Sequence, residues 1–111
     1  MARLVLHSVL LEFADNVYFQ PPSNIQLEYP CIIYHRKEKD RKHGNNSVYI
    51  GKDRYRLTVI DRNPDSTIPD LIENYLQYCR IIDYFTQDNL NHTILDLYYD
   101  YENITKIGGI N

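Results

Sequence analysis

Tryptophan is absent from this sequence of 111 residues, and methionine, cysteine and glycine are scarce, with one, two and four copies. The few glycines match no loop of the kind that cradles a phosphate. The two cysteines, Cys31 and Cys79, lack the close spacing of metal ligands. We interpret them as free, buried thiols, and a disulfide between them is the alternative that the sequence leaves open.

Catalytic and metal-binding motifs are missing as well. No serine lies in a nucleophile elbow. Three aspartates, Asp61, Asp65 and Asp70, flank one turn and could bind a cation or perform acid/base chemistry, but turn formation and helix capping explain them without a ligand. The four histidines are scattered along the chain: His7, His35, His43 and His92. We therefore predict no enzyme, no cofactor and no metal site, with a metal site assembled by the fold as the alternative.

No apolar run is long enough to cross a membrane. The apolar N-terminal segment, residues 4–13, is short, contains Glu12 and lacks a small-residue cleavage site. It is therefore neither a membrane span nor a signal peptide, and we expect synthesis in the cytoplasm and no membrane partner.

The composition is typical of one globular domain, and its charged residues are unevenly distributed along the chain. Apolar residues make up 43% of the chain and charged residues 24%, which argues against disorder. Tyrosine stands out with eleven copies, and its half-polar ring suits strand faces and subunit interfaces. Residues 36–54 carry seven Lys/Arg against three Asp/Glu, so this segment has a charge of +4 while the whole chain has −3. Residues 36–54 thus form a basic segment in an otherwise acidic protein.

The hydrophobic periodicity predicts an α+β domain over residues 1–100, followed by a flexible C-terminal tail at 101–111. In residues 54–72 the period changes from two to about 3.6 across a Pro/Asp/Ser-rich turn, which indicates a strand followed by a helix capped by Thr67. We expect two helices on an antiparallel-dominated sheet of four to five strands, with a long projecting hairpin at 36–54. The predicted helices are 3–14 and 68–79, and the predicted strands are 17–20, 29–34 (covered on both faces), 54–61, 80–86 and 93–99, with a loop at 87–92.

Three short segments, in this order along the chain, carry a resemblance to a known family. They are Tyr29-Pro-Cys-Ile-Ile-Tyr34, the strand 55–61 with the following Asn63-Pro-Asp-Ser-Thr-Ile68, and Asp88-Asn-Leu-Asn-His-Thr93 before an alternating strand. Together they resemble the small tail completion, or tail terminator, proteins of tailed bacteriophages, over about residues 17–99.

The resemblance implies a non-enzymatic virion protein, made in the host cytoplasm. Such a subunit would form a hexameric ring that caps the tail tube and joins it to the neck of the head. Its partners would be further copies of itself, the tail tube protein and a neck or head-completion protein, while genomic DNA would pass through the lumen without sequence-specific binding. A head-to-tail ring needs two different complementary patches. We expect the interface to include seven basic residues: Arg36, Lys37, Lys39, Arg41, Lys42, Arg54 and Arg56.

Two other functions stay open at this point. A nucleic-acid-binding or regulatory module could use the same basic hairpin, and its isolated monomer would then bind DNA with a steep salt dependence. An enzyme with an unrecognised site is the third.

Overall fold

The computed structural model describes residues 2–39 and 53–99. It confirms the predicted α+β class. Most of the predicted hairpin, and the predicted tail with its boundary, lie outside the described residues. The elements in chain order are α1 (Ala2–Leu10), β1 (Asn16–Phe19), β2 (Cys31–Lys39), β3 (Asp53–Asp61), α2 (Ile68–Tyr75), β4 (Cys79–Gln87) and β5 (Leu90–Tyr99).

The five strands form one sheet in the order β1-β2-β3-β5-β4. Within residues 2–39 and 53–99, the β1–β2 pair is parallel and the other three neighbouring pairs are antiparallel. Strand β5 therefore lies between β3 and β4, and among the described strands β4 forms one edge of the sheet and β1 the other. Both helices pack on the same face, α1 against β1 and α2 against β4 and β5.

The core lies between the helices and this face of the sheet. In β3 the side chains of Tyr55, Leu57 and Val59 are buried, while Arg54, Arg56 and Thr58 alternate with them and are half-buried. The predicted alternation is thereby confirmed, and it follows from the two-residue period of a strand. Burial of each large apolar side chain contributes about 1.5 to 3 kcal/mol to stability. The fully buried partners from the other elements are Leu6, Leu10, Ile32, Tyr34, Ile72, Leu95 and Leu97.

The predicted strand 29–34 begins later and is less enclosed than expected. It starts at Cys31, after the cis Tyr29–Pro30 peptide bond, and it continues to Lys39. Ile32 and Tyr34 are buried on the helix side and Cys31 on the other face, but Ile33 on that face is only half-buried. The prediction of cover on both faces therefore holds only for the first part of β2.

Both helices are shorter than predicted. After Leu10 the chain tightens into turns, with Phe13 N–H donating to the Leu10 carbonyl. Helix α2 ends at Tyr75 because the backbone of Leu76 is extended, although the Leu76 N–H still donates to the Ile72 carbonyl and so completes the last turn. Cys79, the last residue of the predicted helix 68–79, is the first residue of β4.

The predicted cap of α2 is also only partly right. Thr67 occupies the cap position, but its side chain makes no capping hydrogen bond. The Ser66 hydroxyl instead accepts a hydrogen bond from the Ile68 N–H at 3.3 Å. A polar side chain one residue earlier thus satisfies one of the free donors at the start of the helix.

A two-residue turn joins β4 to β5, in place of the predicted loop at 87–92. Asp88 and Asn89 both have positive φ angles, 56° and 64°. Aspartate and asparagine tolerate this left-handed conformation better than most residues, and a turn with two such positions matches the twist of a hairpin. The strands consequently extend to Gln87 and begin again at Leu90.

Candidate interaction surfaces

Two of the seven predicted interface residues, Arg54 and Arg56, bind an aspartate on their own sheet. The Arg54 guanidinium donates to Asp96 Oδ2 and Arg56 Nε donates to Asp96 Oδ1, each at 3.0 Å. Partial burial favours a higher pKa for Asp96, but the hydrogen bonds and charges of the two arginines outweigh it and hold that pKa below its ordinary value. These arginines therefore lie on the sheet face opposite the helices, engaged in an ion-pair cluster with Asp96.

A third predicted residue, Arg36, belongs to a cluster of cationic and aromatic side chains on the helix side. The guanidinium of Arg36 lies 5.8 Å from the ring centroid of Phe19, and that of Arg3 from α1 lies 4.3 Å from the same ring. Lys37 is the next residue of β2, it lies in the register shift between Arg36 and Glu38, and its side chain is exposed. We call Arg3, Arg36 and Lys37 the basic corner. The Lys39 side chain, Arg41 and Lys42 lie outside the described residues.

Hydrogen bonds fix the inner side of the basic corner. The buried Tyr34 hydroxyl lies 2.7 Å from His7 Nδ1 and accepts a hydrogen bond from Arg3 at 3.3 Å. Burial and the nearby Arg3 charge lower the pKa of His7. A neutral imidazole is therefore favoured here, and the positive charge of the corner resides on the arginines and the lysine.

A second surface, which sequence reasoning missed, runs along β4. Four large side chains on or next to this edge strand are exposed, and we call them the β4 edge surface: Tyr78 (57% exposed), Ile82 (39%), Tyr84 (68%) and Phe85 (41%). The register shifts between Ile81 and Asp83, so that Tyr84 follows the helix side and Phe85 the opposite face. Phe85 stacks on His92 of β5 with a centroid distance of 4.4 Å.

The sequence did contain a signal for this surface. Apolar residues occur in adjacent pairs, Ile81-Ile82 and Tyr84-Phe85, instead of alternating with polar ones. Such pairs place apolar groups on both sides of a strand. Only the strand order shows that they lie at an edge.

A groove of about 560 Å³ lies beside the β4 edge surface, between the β3–α2 turn and the end of the β4–β5 hairpin. Three carboxylates line it, those of Asp61, Asp65 and Asp70, and Tyr84 and Phe85 form part of its wall. None of the described residues that line the groove is Lys or Arg. We call this cavity the β4 groove, and it is acidic and aromatic in character.

Hydrogen bonds within the turn hold the mouth of the β4 groove. Asp61 Oδ1 accepts from the Asn63 N–H at 3.1 Å, and Asn63 Oδ1 accepts from the Asp65 N–H at 2.9 Å. The Asn91 side chain donates to the carbonyls of Asp61 and Arg62, both at 3.2 Å. Asp61 therefore helps to build the turn, as predicted, while Asp65 and Asp70 are exposed.

The described residues contain little other chemistry. Residues 2–39 and 53–99 include no group of three or more His, Cys, Asp or Glu side chains that could hold a metal ion. Both cysteines are free and buried, which confirms the interpretation as thiols, and burial raises the pKa of Cys31 to about 11 and of Cys79 to about 12. In the same two ranges, no helix is both long and apolar enough to cross a membrane.

Comparisons with protein-family models, curated proteins and solved structures found no match to this chain. The surfaces described above are therefore the basis for an assignment of function.

Proposed function

We propose that this chain is a non-enzymatic structural subunit of a phage virion. In this proposal it forms a hexameric ring, as in the tail completion or tail terminator proteins that its sequence resembles. The ring caps the tail tube and joins it to the neck of the head, and its lumen passes DNA without reading the DNA sequence.

The β4 edge surface is the observation that carries the proposal. Strand β4 has nine residues and no neighbour on its outer side among the described strands, and three of its large apolar side chains are exposed. Monomeric proteins shield long edge strands with charge, bulges, proline or short length, because unpaired backbone groups and apolar side chains invite association. Strand β4 carries Arg80, Asp83 and one register shift, and its three large apolar side chains are nonetheless exposed. The exposed edge of β4 therefore supports a function in which this protein binds other subunits.

The two edges of the sheet differ, as a head-to-tail contact in a ring requires. Strand β1, at the other edge, has four residues that are all half-buried. The two edges are therefore unlike, and a contact that joins unlike surfaces repeats around a closed ring or along a filament. A cap on a tube requires the closed form.

Size-exclusion chromatography with light scattering tests this proposal on the full chain. We expect a discrete mass at the hexamer of the 13.2 kDa subunit, or a hexamer that forms when tail tube protein is added. The variant Tyr84→Asp should shift the population to monomer, because it places a charge in the β4 edge surface. Leu11→Asp is the matched control, because it places the same charge at a 45% exposed apolar position outside the β4 edge surface, and it should leave the population unchanged.

A strict monomer that neither binds tube protein nor forms rings would overturn the proposal. If that monomer bound duplex DNA with a steep salt dependence, the nucleic-acid-binding alternative would take its place.

A further inference from the structure

We propose that the β4 groove of one copy of this chain receives the basic corner of the next copy, so that opposite charges set the direction of assembly. This inference rests on the proposed ring function and names the two surfaces that meet in it.

The β4 groove has the chemistry of a receptor for cationic side chains. Asp61, Asp65 and Asp70 supply negative charge, and no lysine or arginine among the described lining residues neutralises it from within. The ring of Tyr84, which lies on the helix side with the groove and is 68% exposed, adds a π face that attracts guanidinium and ammonium groups. The β4 edge surface beside it supplies the apolar contact that charges alone do not provide.

The basic corner has the complementary chemistry. The guanidiniums of Arg3 and Arg36 are both held against the Phe19 ring, which restricts their side chains before any partner arrives. Restriction of this kind lowers the entropy cost of binding. Leu4, next to Arg3 on α1, is 53% exposed and offers an apolar group to the aromatic wall of the groove.

The two surfaces lie at diagonally opposite corners of the sheet. Arg36 on β2 pairs with Tyr55 on β3, six residues before Asp61, and β2 is separated from β4 by both β3 and β5. At about 3.3 Å per residue and about 4.8 Å per strand, the corner and the groove are roughly 24 Å apart. No side chain spans this distance, so the corner of one copy can fill only the groove of another. Because the two surfaces differ, the contact is head to tail.

Charge reversal in the groove is the first half of the test. Asp65→Lys with Asp70→Lys should weaken self-association at least about a hundredfold at low salt, because like charges then face each other. Glu12→Lys with Asp15→Lys changes the net charge equally at exposed positions outside the groove, and it should assemble like the wild type. Circular dichroism and urea unfolding check that each variant folds. If the lysines prevent folding, Asp65→Asn with Asp70→Asn replaces them, and its association should lose most of its salt dependence.

Complementation is the second half. Arg36→Glu with Lys37→Glu should also fail to assemble alone. An equimolar mixture of this variant with the groove-reversed variant should restore the ring, because every contact in an alternating ring then joins opposite charges. The readout is the mass from light scattering, with the two chains distinguished by mass spectrometry.

The outcomes separate the inference from the proposed function. If the wild type forms rings and the groove variants do so with equal affinity, or if the mixture stays dissociated, the inference is wrong and the ring function stands. Loss of assembly in the Glu12/Asp15 control would show an effect of net charge alone and would also overturn the inference. A wild type that never associates overturns both.

Discussion

Replacement of Asp96 by asparagine should destabilise the protein without disrupting its assembly. The two carboxylate oxygens of Asp96 accept hydrogen bonds from Arg54 and Arg56, each at 3.0 Å, in a cluster that joins β3 to β5. Asparagine keeps one acceptor and turns the other into an amino group, which faces an arginine donor. One hydrogen bond and both ion pairs are lost, and the two arginines then repel each other without compensation.

The size of the effect follows from the exposure of the cluster. The side chains of Asp96, Arg54 and Arg56 are 17%, 26% and 32% exposed. Fully exposed ion pairs contribute about 0.2 to 1 kcal/mol, and the loss of one partner from a buried pair costs about 3 to 5 kcal/mol. A partly buried cluster lies between these limits, so we expect the free energy of unfolding to fall by about 1 to 3 kcal/mol at pH 7.

The loss should also depend on pH. The arginines hold the pKa of folded Asp96 below its ordinary value of 3.8, so the unfolded chain takes up this proton first as the pH falls. The stability contributed by Asp96 is therefore complete above the ordinary pKa and disappears as the pH falls through the lowered one. The difference between wild type and Asp96→Asn should accordingly shrink below about pH 4.

Urea unfolding at one fixed protein concentration, at pH 7 and again at pH 3, measures both effects. Asp83→Asn is the matched control, because Asp83 is an exposed β4 aspartate with no ion pair among the described residues. It should change stability by less than about 0.5 kcal/mol. A loss for Asp96→Asn no larger than that of the control, or a difference that grows on acidification, would refute the reasoning.

Three further predictions concern buried groups and the β4–β5 turn. Tyr34→Phe should cost about 1 kcal/mol in urea unfolding because its hydroxyl is hydrogen-bonded, whereas Tyr55→Phe should be neutral or stabilising, since that buried hydroxyl has no partner among the described residues. Cys31 and Cys79 should react with an aromatic disulfide reagent at pH 8 only as fast as the chain opens, because burial raises their pKa values to about 11 and about 12; rapid reaction of the native protein would contradict this. Asn89→Ala should lower the free energy of unfolding by about 1 to 2 kcal/mol in thermal unfolding, because a positive φ of 64° is unfavourable for alanine, while Asn89→Gly should not lower it.

The hydrophobic periodicity of the sequence predicted the helices and strands of the described residues. The predicted ends were wrong where contacts between elements, and not local periodicity, determine which residues are buried. The alternation of Tyr55, Leu57 and Val59 predicted β3, since a strand with one buried face must alternate. The predicted helix 68–79 is longer than α2 because Leu76 and Cys79 are apolar and buried at helical spacing from Ile72. These two residues are nevertheless not helical. Leu76 follows the end of α2 and Cys79 begins β4, and both are buried in the same core as Ile72. Periodicity reports that a residue is buried and does not report which element buries it.

The interaction surfaces could not be predicted because they depend on strand order. A β4–β5 hairpin could place either of its strands beside β3, and the sequence does not distinguish the two arrangements. With β5 beside β3, Asp96 meets Arg54 and Arg56, which lie 42 and 40 residues away in sequence, and β4 becomes an edge. With the order reversed, Asp96 would lie on the edge strand, away from the arginines, and Tyr84 would lie on an inner strand. One topological choice thus determines both the ion-pair cluster and the exposed β4 edge surface. A measured coupling of Asp96 to these arginines would therefore also support the edge position of β4 on which the assembly proposals depend.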